Sequence, residues 1–582
     1  MKNKTTSSSQ SISQLQDWIL KRYLRALDYF KNKQFTFEEF FEFLNKEYGD
    51  DEDQAKVILS EINQTGLLVI NKNPKDKREK IYNLKPIVQD KTNNISSKDQ
   101  LINLLKQAAD IIRTRVDYTF ILLLLFYKAY SDKWQKEFEK KKNELLNLGW
   151  SEEEATKEAE FGPYHTFNFP KEYLWDNIRK EPYKISEKFS MSMRKLAELN
   201  PDYQDIFSQF DFHNFTSNPE NSAILNQLVE LFSKFSFKEI SGDILGDAYE
   251  WILKHFAPQK AKEGEIFTPR EVIRLMIEIL DPKPKNSIYD PSLGSSGMLI
   301  MAYKYIEEKY NQESANTLLL YGQEVNSKAV ALAKMNMLLH GIKNFNLALG
   351  DTLLFPKFKE KDFIKTFDFV LANPPWNQDA YGEEQLKKAD YWQERFKYGC
   401  PTKQSADWAW VQHMLASSKN KVAVVLDTGA VSRSGREKLI RQKIVEADLI
   451  ESVILLPEKL FYNTGAPAII IVLNKNKPEE RKNKILLINA SKEFKSGKKQ
   501  NILDSQNIKK IVEIYKEFKE VDKFSKIIIL EEAKEADYNL SPSRFVMIIE
   551  EEKHRPINEI LKDIEEIEKE IKEVEEKIRR IF

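Results

Sequence analysis

The sequence predicts an α/β protein whose centre is a mostly parallel sheet. Short apolar runs alternate with helical segments from Gly242 onward, and the runs include SIYD, LLLYGQE, FDFVLA, VAVVLD, ESVILLP and PAIIIVLNK. Continuous apolar strands separated by helices are typical of a sheet that is covered on both faces. Several runs end at Asp, Glu, Asn or Pro. Because ligands of parallel sheets bind at the carboxyl ends of the strands, we expect the functional site at that edge.

Length and composition limit the classes of protein that fit. The chain has 582 residues, which exceeds the size at which one hydrophobic core stops growing, so several domains are expected. Lys and Arg together number 90, as do Asp and Glu, so the net charge cancels. This balance argues against a uniformly basic nucleic-acid binder, and any nucleic-acid surface is expected to be local or to belong to a partner.

Several features predict a soluble, cytoplasmic protein. The single cysteine, Cys400, excludes an internal disulfide and fits a reducing compartment. The apolar run at 120–127 is far shorter than the roughly 20 residues that cross a bilayer, so no membrane association is expected. Residues 1–13 are polar and predict a disordered tail rather than a signal peptide. The six histidines are scattered, so no metal site is expected.

The chain is expected to contain four regions. Residues 1–90 hold the tail and then two helical stretches, a strand, a basic loop at 71–80 and a second strand. This order resembles a winged helix, a fold that often touches DNA, although a Lys-rich hairpin tip is more often a solvated loop. Residues 97–240 are helical, residues 241–505 contain the alternating strands and helices, and residues 506–582 form a helical region for docking a partner.

The last region ends in a helix with an apolar seam. At alternating steps of four and three stand Ile560, Ile564, Ile567, Ile571, Val574 and Ile578. Glu and Lys fill most of the positions between them, which is the heptad pattern of a coiled coil. About three heptads are too few for a stable isolated rod, so we expect docking on another chain or domain. The alternative is a terminal helix packed on its own domain.

The stretch SIYDPSLGSSGML combines a strand end, a turn and the start of a helix, with Asp290, Pro291, Gly294, Ser295 and Gly297. The glycines let the backbone approach a ligand closely, and the amino terminus of the helix offers N–H groups to a carboxylate or phosphate. An ordinary tight turn has the same pattern, so this stretch alone is a weak signal.

Acidic residues follow the next two strands. The run LLLYGQE ends at Glu324, 34 residues after Asp290, and an acid at that strand tip can accept both hydroxyls of a ribose. The run NLALGD ends at Asp351, a candidate acceptor for an adenine amino group. Each acid alone could instead cap a helix, and a dinucleotide enzyme would use Glu324 in the same way. Acids at three successive strand tips indicate a nucleoside site.

The stretch FDFVLANPPWNQD ends an apolar strand with Asn373, Pro374, Pro375 and Trp376. Proline has no backbone N–H, so the two prolines present carbonyl oxygens and no donors. A residue before a proline is extended, which projects the Asn373 side chain beyond the strand. The amide oxygen of Asn373 and the carbonyl of Pro374 then match the two N–H bonds of an aromatic amine.

An aromatic amine is a poor nucleophile because its lone pair is delocalised into the ring. Acceptors for both N–H groups favour the pyramidal, partly positive nitrogen of a transition state in which nitrogen attacks a methyl carbon. We expect Trp376 to be exposed, so that its face stacks on a base swung out of its duplex. The alternative is a strand that ends at Pro-Pro with the tryptophan in the core.

With these motifs in this order, the chain resembles the modification (methyltransferase) subunit of type I restriction-modification systems, a group of N6-adenine DNA methyltransferases. The resemblance covers about residues 101–503 and rests on GEIFTPREVIRLM, DPSLGSSGMLI, YGQEVNSKAVALAKMNMLLHGI, FDFVLANPPW and INASKEFKSGKKQNIL. It implies a Rossmann-like methyltransferase domain with a mostly parallel seven-stranded sheet, after an α-helical domain. It also implies methyl transfer from S-adenosylmethionine to the 6-amino group of a flipped adenine.

The resemblance implies a role for each candidate residue. It places Phe267, Thr268 and Pro269 over the methionine end of the cofactor, with the turn at 290–297 beneath it. It assigns Glu324 to the ribose.

The remaining assignments concern the two bases. The resemblance gives Asp351 to the cofactor adenine and the segment from Asn373 to Trp376 to the target, with Asn373 also beside the cofactor.

The chain departs from the family pattern within the turn. Ser292 and Leu293 stand where the family usually carries a small residue and Cys, and Ser296 stands where it carries Gly. A hydroxymethyl group at 296 is expected to crowd the cofactor and to change its affinity.

The resemblance also implies partners. Double-stranded DNA is the substrate, and a separate specificity subunit, flanked by two copies of this chain, selects the site. A motor-nuclease subunit joins them for restriction. The sequence holds no G-x-x-x-x-G-K-[ST] phosphate loop and no repeated target-recognition domain. This agrees with DNA translocation and site selection being supplied by the other subunits.

Two other classes of function remain open at this level. A methyltransferase of protein glutamine or of RNA would also use NPP followed by an aromatic residue, although such enzymes are usually compact. A non-catalytic assembly protein could keep the same fold.

Overall fold

The computed structural model describes residues 16–30, 33–74, 78–85, 93–95, 97–112, 117–261, 268–461, 464–497, 500–547 and 557–581. The expected amino-terminal tail, the tip of the basic loop at 75–77 and the candidate Phe267 lie outside these residues. Within the described residues, no helix is long and apolar enough to cross a membrane.

The first unit consists of helices followed by a two-stranded antiparallel sheet. Its elements are α1 (Asp17–Phe30), α2 (Phe37–Tyr48), α3 (Glu52–Gln64), β1 (Leu68–Lys72) and β2 (Lys80–Leu84). Thr36 and Asp51 begin α2 and α3 with capping boxes, in which side chains satisfy the first backbone N–H groups. Phe35 bridges to Tyr82 and adds a further rung to the sheet.

The second unit is helical. Its elements are β3 (Asn93–Asn94), α4 (Lys98–Ile112), α5 (Thr119–Asn147), α6 (Glu152–Ala159), α7 (Trp175–Ile178), α8 (Ile185–Leu199), α9 (Gln204–Ser208), α10 (Phe212–Thr216), α11 (Pro219–Ser233), β4 (Phe235–Ser236) and α12 (Gly242–Ala261). The first half of α5 contains the apolar run at 120–127, whose side chains lie in this unit's core. Helix α1 of the first unit packs against the 3₁₀ turn Pro182–Lys184.

The third unit contains the expected sheet. Its strands are β5 (Ser287–Asp290), β6 (Leu319–Glu324), β7 (Phe345–Leu349), β8 (Lys359–Glu360), β9 (Phe363–Ile364), β10 (Phe367–Ala372), β11 (Ser418–Asp427), β12 (Ile450–Leu455), β13 (Ala468–Asn474), β14 (Lys484–Asn489), β15 (Lys495–Ser496), β16 (Asn501–Ile502) and β17 (Ser525–Ile529). Strands β8 and β9 form one small hairpin and β15 and β16 another.

The main sheet is mixed and larger than expected. Its strand order is β7-β6-β5-β10-β11-β13-β12-β14-β17, which gives nine strands rather than the expected seven. Strands β5, β6, β7, β10 and β11 are parallel, whereas β13 lies antiparallel between β11 and β12. Strand β17 is antiparallel to β14. The sheet therefore continues past residue 505, where the sequence placed the end of this domain.

Helices cover both faces of this sheet. The helices of this unit and of the carboxyl-terminal segment are α13 (Arg270–Leu280), α14 (Gly297–Lys309), α15 (Gln312–Ala315), α16 (Ser327–Leu339), α17 (Glu383–Leu386), α18 (Trp392–Arg395), α19 (Asp407–Ala416), α20 (Arg436–Glu446), α21 (Ser505–Glu517), α22 (Leu530–Glu535), α23 (Pro542–Phe545) and α24 (Ile557–Ile581). Helices α13, α14 and α21 pack on one face, and α19 and α20 pack on the other. Helix α16 also enters the core of the helical unit.

The apolar seam of the terminal helix α24 is exposed. The side chains of Ile564, Ile567, Ile571 and Val574 are between 47% and 55% exposed. The side chains of the other two seam positions, Ile560 and Ile578, lie outside the described part of the chain. The described seam therefore does not pack on this chain's own domain.

Candidate functional site

A cavity of about 370 Å³ lies at the carboxyl ends of the central strands. It opens where β5 adjoins β10 and the strand order reverses, which is where open α/β sheets bind ligands. The candidate residues that line it are Thr268, Asp290, Gly294, Ser295, Gly297, Glu324, Asn373, Pro374 and Pro375. The remaining described candidates do not line it: Pro269, Pro291, Asp351 and Trp376.

Asp290 ends β5 and is 1% exposed. Its Oδ1 accepts the backbone N–H of Ser292 at 3.0 Å. Burial, with a smaller contribution from the charge of Glu324, raises the pKa of Asp290 to about 8. The carboxyl group is therefore mainly protonated at neutral pH, and a cation in the cavity would favour its ionised form.

Glu324 ends β6 and joins two loops of the site. Its Oε2 accepts the N–H of Gly294 at 3.0 Å. Its Oε1 accepts the N–H groups of Val325 at 2.9 Å and Asn326 at 3.0 Å. Carboxylate oxygens have lone pairs beyond those used here, so the side chain can still accept from a ligand hydroxyl.

The glycine turn contains one strained residue. Ser296 has a φ of 68°, in the left-handed region that costs a residue with a Cβ about 1–2 kcal/mol. This conformation explains why glycine suits the position. Ser296 is fully buried and does not line the cavity, so the expectation that its side chain crowds the ligand is wrong. The neighbouring Ser292 does line the cavity, and its buried hydroxyl has no hydrogen-bond partner.

Asn373 follows β10 and bonds to two side chains. Its Nδ2 donates to Oγ1 of Thr268 at 2.9 Å. Its Oδ1 accepts from the indole nitrogen of Trp376 at 2.8 Å. Pro374 is buried and Pro375 is exposed, so the chain passes from the interior to the surface between these two residues.

Trp376 is half-buried, not exposed as the sequence predicted. Its ring meets Phe461 edge-on, with the centroids 5.1 Å apart. Trp376 is half-buried because its hydrogen bond to Asn373 turns the indole back toward its own loop. Sequence analysis did not identify Phe461, which lies far along the chain.

Asp351 is engaged away from the cavity. Its Oδ1 accepts the N–H of Leu354 at 3.0 Å, and its Oδ2 accepts the hydroxyl of Tyr381 at 2.8 Å. Burial, together with the bond to Asp351, raises the pKa of Tyr381. In this structure Asp351 therefore organises the loop after β7, where no helix of the described residues begins, and its assignment to the cofactor adenine stays a prediction.

The loop after Trp376 is held by an ionic network. Asn377 adopts a φ of 52°, and its N–H donates to Oδ1 of Asp407 at 2.9 Å. Arg433 bonds to both Asn377 and Asp407. Burial raises the pKa of Asp407, although the charge of Arg433 opposes the shift. These contacts fix the backbone that carries the motif.

The helical unit supplies part of the cavity wall, which the sequence did not reveal. Tyr118 and Leu253 line the cavity beside the residues of the sheet. The ring of Tyr118 stacks on Phe256 with the centroids 5.0 Å apart. Asp117, next to it, forms an ion pair with Lys328 at the start of α16. No local motif marks Tyr118, because its role depends on how two units pack.

Two family models match the chain. The model described as N-6 DNA Methylase matches residues 240–554, more than half of the chain. This chain belongs to the N-6 DNA methylase family. The model described as HsdM N-terminal domain matches residues 101–232, within the helical unit. The resemblance that the motifs indicated is thereby confirmed for this N-6 DNA methylase.

Curated relatives of this N-6 DNA methylase are named as subunits of type I restriction enzymes. The MjaVIII methylase subunit of Methanocaldococcus jannaschii is 42% identical over 93% of this chain and 94% of its own length. The MjaVII methylase subunit of the same organism is 41% identical over 94% of each chain. A solved methyltransferase subunit of the Streptococcus thermophilus type I restriction-modification system has a TM-score of 0.68 at 27% identity, covering 77% of this chain and 99% of that one.

Family membership implies S-adenosylmethionine as the cofactor, and the cavity fits it. One wall carries the buried acid Asp290 and the unpartnered hydroxyl of Ser292, which suit the charged amino-acid end. Glu324 stands at the next strand tip, where it can accept from ribose hydroxyls. Gly294 has a φ of 50°, and a Cβ added there would meet open space, which leaves its backbone accessible to a ligand.

Proposed function

We propose that this chain transfers a methyl group from S-adenosylmethionine to the 6-amino group of an adenine swung out of duplex DNA. One observation carries the proposal. Asn373 and Pro374, the candidate acceptors for the amine, share a cavity with Asp290 and Glu324, the candidate contacts of the cofactor. An acceptor pair and a cofactor site are thus side by side at the end of one sheet.

The protein's part in the reaction is position and electrostatics. The bound cofactor supplies a methyl group on a sulfonium, which is the electrophile. The oxygen of Asn373 and the carbonyl of Pro374 accept from the two N–H bonds of the amine as positive charge develops on nitrogen. The cofactor would supply the methyl group, and the part of Asn373 and Pro374 is to hold the amine nitrogen in place and to stabilise the positive charge that develops on it. Because these acceptors are fixed by the strand end, little reorganisation is required.

The target base is expected to sit against the end of the motif. Pro375 is exposed beside the cavity, and Trp376 lies next to it. We propose that the face of Trp376 stacks on the flipped adenine once its indole has left Asn373. Such stacking contributes about 1–3 kcal/mol per base, which offsets much of the cost of extrusion.

Other parts of the chain are proposed to serve assembly. The exposed seam of α24 would dock on a specificity subunit that selects the DNA site, with two copies of this chain beside one such partner. A motor-nuclease subunit would join for restriction. The first unit, with its helices, β1, β2 and the bridge from Phe35, has the order of a winged helix, which is proposed as its fold.

A labelling experiment tests the proposed function. The purified chain, its specificity subunit, plasmid DNA, total RNA and S-adenosylmethionine with a labelled methyl group are incubated together. We expect label in DNA as N6-methyladenine, and no label when Asn373 is changed to Ala. The variant should bind S-adenosylhomocysteine within a few-fold of the wild-type affinity. Label confined to protein or RNA would reject the proposal, and so would the absence of any cofactor binding.

A further inference from the structure

The orientation of the Asn373 amide is fixed by a neighbour that can only donate. An amide has an oxygen and a nitrogen of similar size, and the hydrogen-bond network decides which is which. The indole nitrogen of Trp376 is a donor with no acceptor capacity. Since it lies 2.8 Å from the amide, the atom facing it must be Oδ1.

The same constraint decides the role of Thr268. With Oδ1 facing Trp376, the NH₂ group of Asn373 faces Oγ1 of Thr268 at 2.9 Å. A hydroxyl can donate or accept, but here it must accept. Thr268 is itself held in place, because Arg270, two residues on, bonds to Glu250 and Asp247 of α12.

We propose that Thr268 is a positioning residue for methyl transfer, which acts by holding the Asn373 amide with its oxygen toward the target amine. The inference rests on the proposed function. It differs from the role expected from the sequence, in which Thr268 served only the cofactor. A flipped amide would present NH₂ to the amine, so two donors would face each other and the acceptor would be lost.

Trp376 makes this role necessary. In the structure its N–H occupies Oδ1 of Asn373, the atom that the amine needs. The amide oxygen has two lone pairs and could accept from both groups, but the indole leaves Oδ1 when Trp376 turns to stack on the base, as proposed above. Of the two side chains that bond to the Asn373 amide, Thr268 then remains. Its contribution is therefore greatest in the complex with DNA.

Two variants of Thr268 separate its hydroxyl from its shape. Thr268→Val keeps the volume and removes the acceptor, whereas Thr268→Ser keeps the acceptor. We expect Thr268→Val to lower kcat about tenfold, the effect of losing one hydrogen bond, with KM for DNA nearly unchanged. Thr268→Ser should restore kcat to within about threefold. Both should bind S-adenosylhomocysteine within about threefold of wild type by calorimetry.

A matched control is available elsewhere in the chain. Oγ1 of Thr317 accepts the N–H of Lys285 at 2.9 Å, and Thr317 is partly buried like Thr268. Thr317→Val therefore removes a bond that Oγ1 accepts, together with the bond that it donates to Ser314, at the amino ends of β5 and β6, and its kcat should equal that of wild type.

The possible outcomes are distinct. If Thr268→Val keeps full kcat, or if Thr268→Ser loses as much as Thr268→Val, the positioning role is wrong. If Thr268→Val weakens S-adenosylhomocysteine binding as much as it lowers kcat, Thr268 serves the cofactor alone. If the wild-type complex methylates no DNA, the proposed function fails, whatever the variants do.

Discussion

Oε2 of Glu324 accepts the backbone N–H of Gly294 over 3.0 Å, so the acid at the tip of β6 also closes the glycine turn after β5. The two motifs of the cofactor site are therefore not independent. A ligand held by Glu324 meets a turn whose shape the same carboxylate has set.

Changing Glu324 to Gln tests this connection. The amide keeps the size of the side chain, but it removes the charge and replaces one acceptor oxygen with an NH₂ donor. Hydrogen bonds to a charged group contribute about 1.5–3 kcal/mol, so we expect S-adenosylhomocysteine to bind at least about tenfold more weakly by calorimetry. Glu313→Gln, at an exposed position in α15, is the control. Unchanged affinity in Glu324→Gln would remove Glu324 from the site.

The raised pKa of Asp290 predicts a pH-dependent cofactor affinity. Below about pH 8 the buried carboxyl carries a proton, which binding of a cation must displace. Affinity for S-adenosylmethionine should therefore rise as the pH increases from 6 to about 8 and then level off. Calorimetry in buffers of different ionisation enthalpy would measure the released proton. Asp290→Asn should abolish that proton release, and an equal release from this variant would contradict the assignment.

The same group affects the stability of the ligand-free protein. The native state holds a proton on Asp290 that the unfolded chain loses near its ordinary pKa of 3.8. The contribution of Asp290 to the free energy of unfolding is therefore present at low pH and falls as the pH rises from about 4 to about 8.

Gly246→Ala is expected to destabilise the protein, against the usual effect of this change in a helix. Alanine normally favours a helix over glycine by about 0.5–1 kcal/mol. At position 246, in α12, an added Cβ would lie 2.3 Å from the ring of His340, which is buried and cannot withdraw. We expect a loss of about 1–3 kcal/mol, measured by urea unfolding. Gly465→Ala, where a Cβ meets nothing within 4 Å, is the control.

The exposed seam of α24 predicts which variants lose the specificity subunit. Ile567→Glu combined with Ile571→Glu places charges where apolar contact is expected, at positions 55% and 53% exposed. Co-purification with the specificity subunit should be lost, while binding of S-adenosylhomocysteine should be retained. Glu568→Gln, an exposed change on the same helix, should leave the complex intact. Persistence of the complex in the double variant would exclude this seam as the docking surface.

The sequence predicted the parts of the site that local chemistry determines. The apolar runs that end at Asp290, Glu324 and Asn373 form neighbouring strands. The sequence predicted each strand because its apolar pattern and the residues at its end lie within one short stretch. It did not predict the antiparallel β13 or the late strand β17, since pairing partners depend on contacts far apart in the chain. The sequence did not predict contacts between side chains for the same reason. One example is Trp376, whose hydrogen bond to Asn373 turns it inward.

The wall that Tyr118 provides has a practical consequence for attempts to shorten the protein. A chain beginning at residue 240, where the match to the methylase family starts, would keep every motif of the sheet but lose Tyr118 and the core that surrounds α16. Such a fragment would have a catalytic sheet whose ligand pocket is open to water on one side. Any minimal enzyme engineered from this chain therefore needs its helical unit as well.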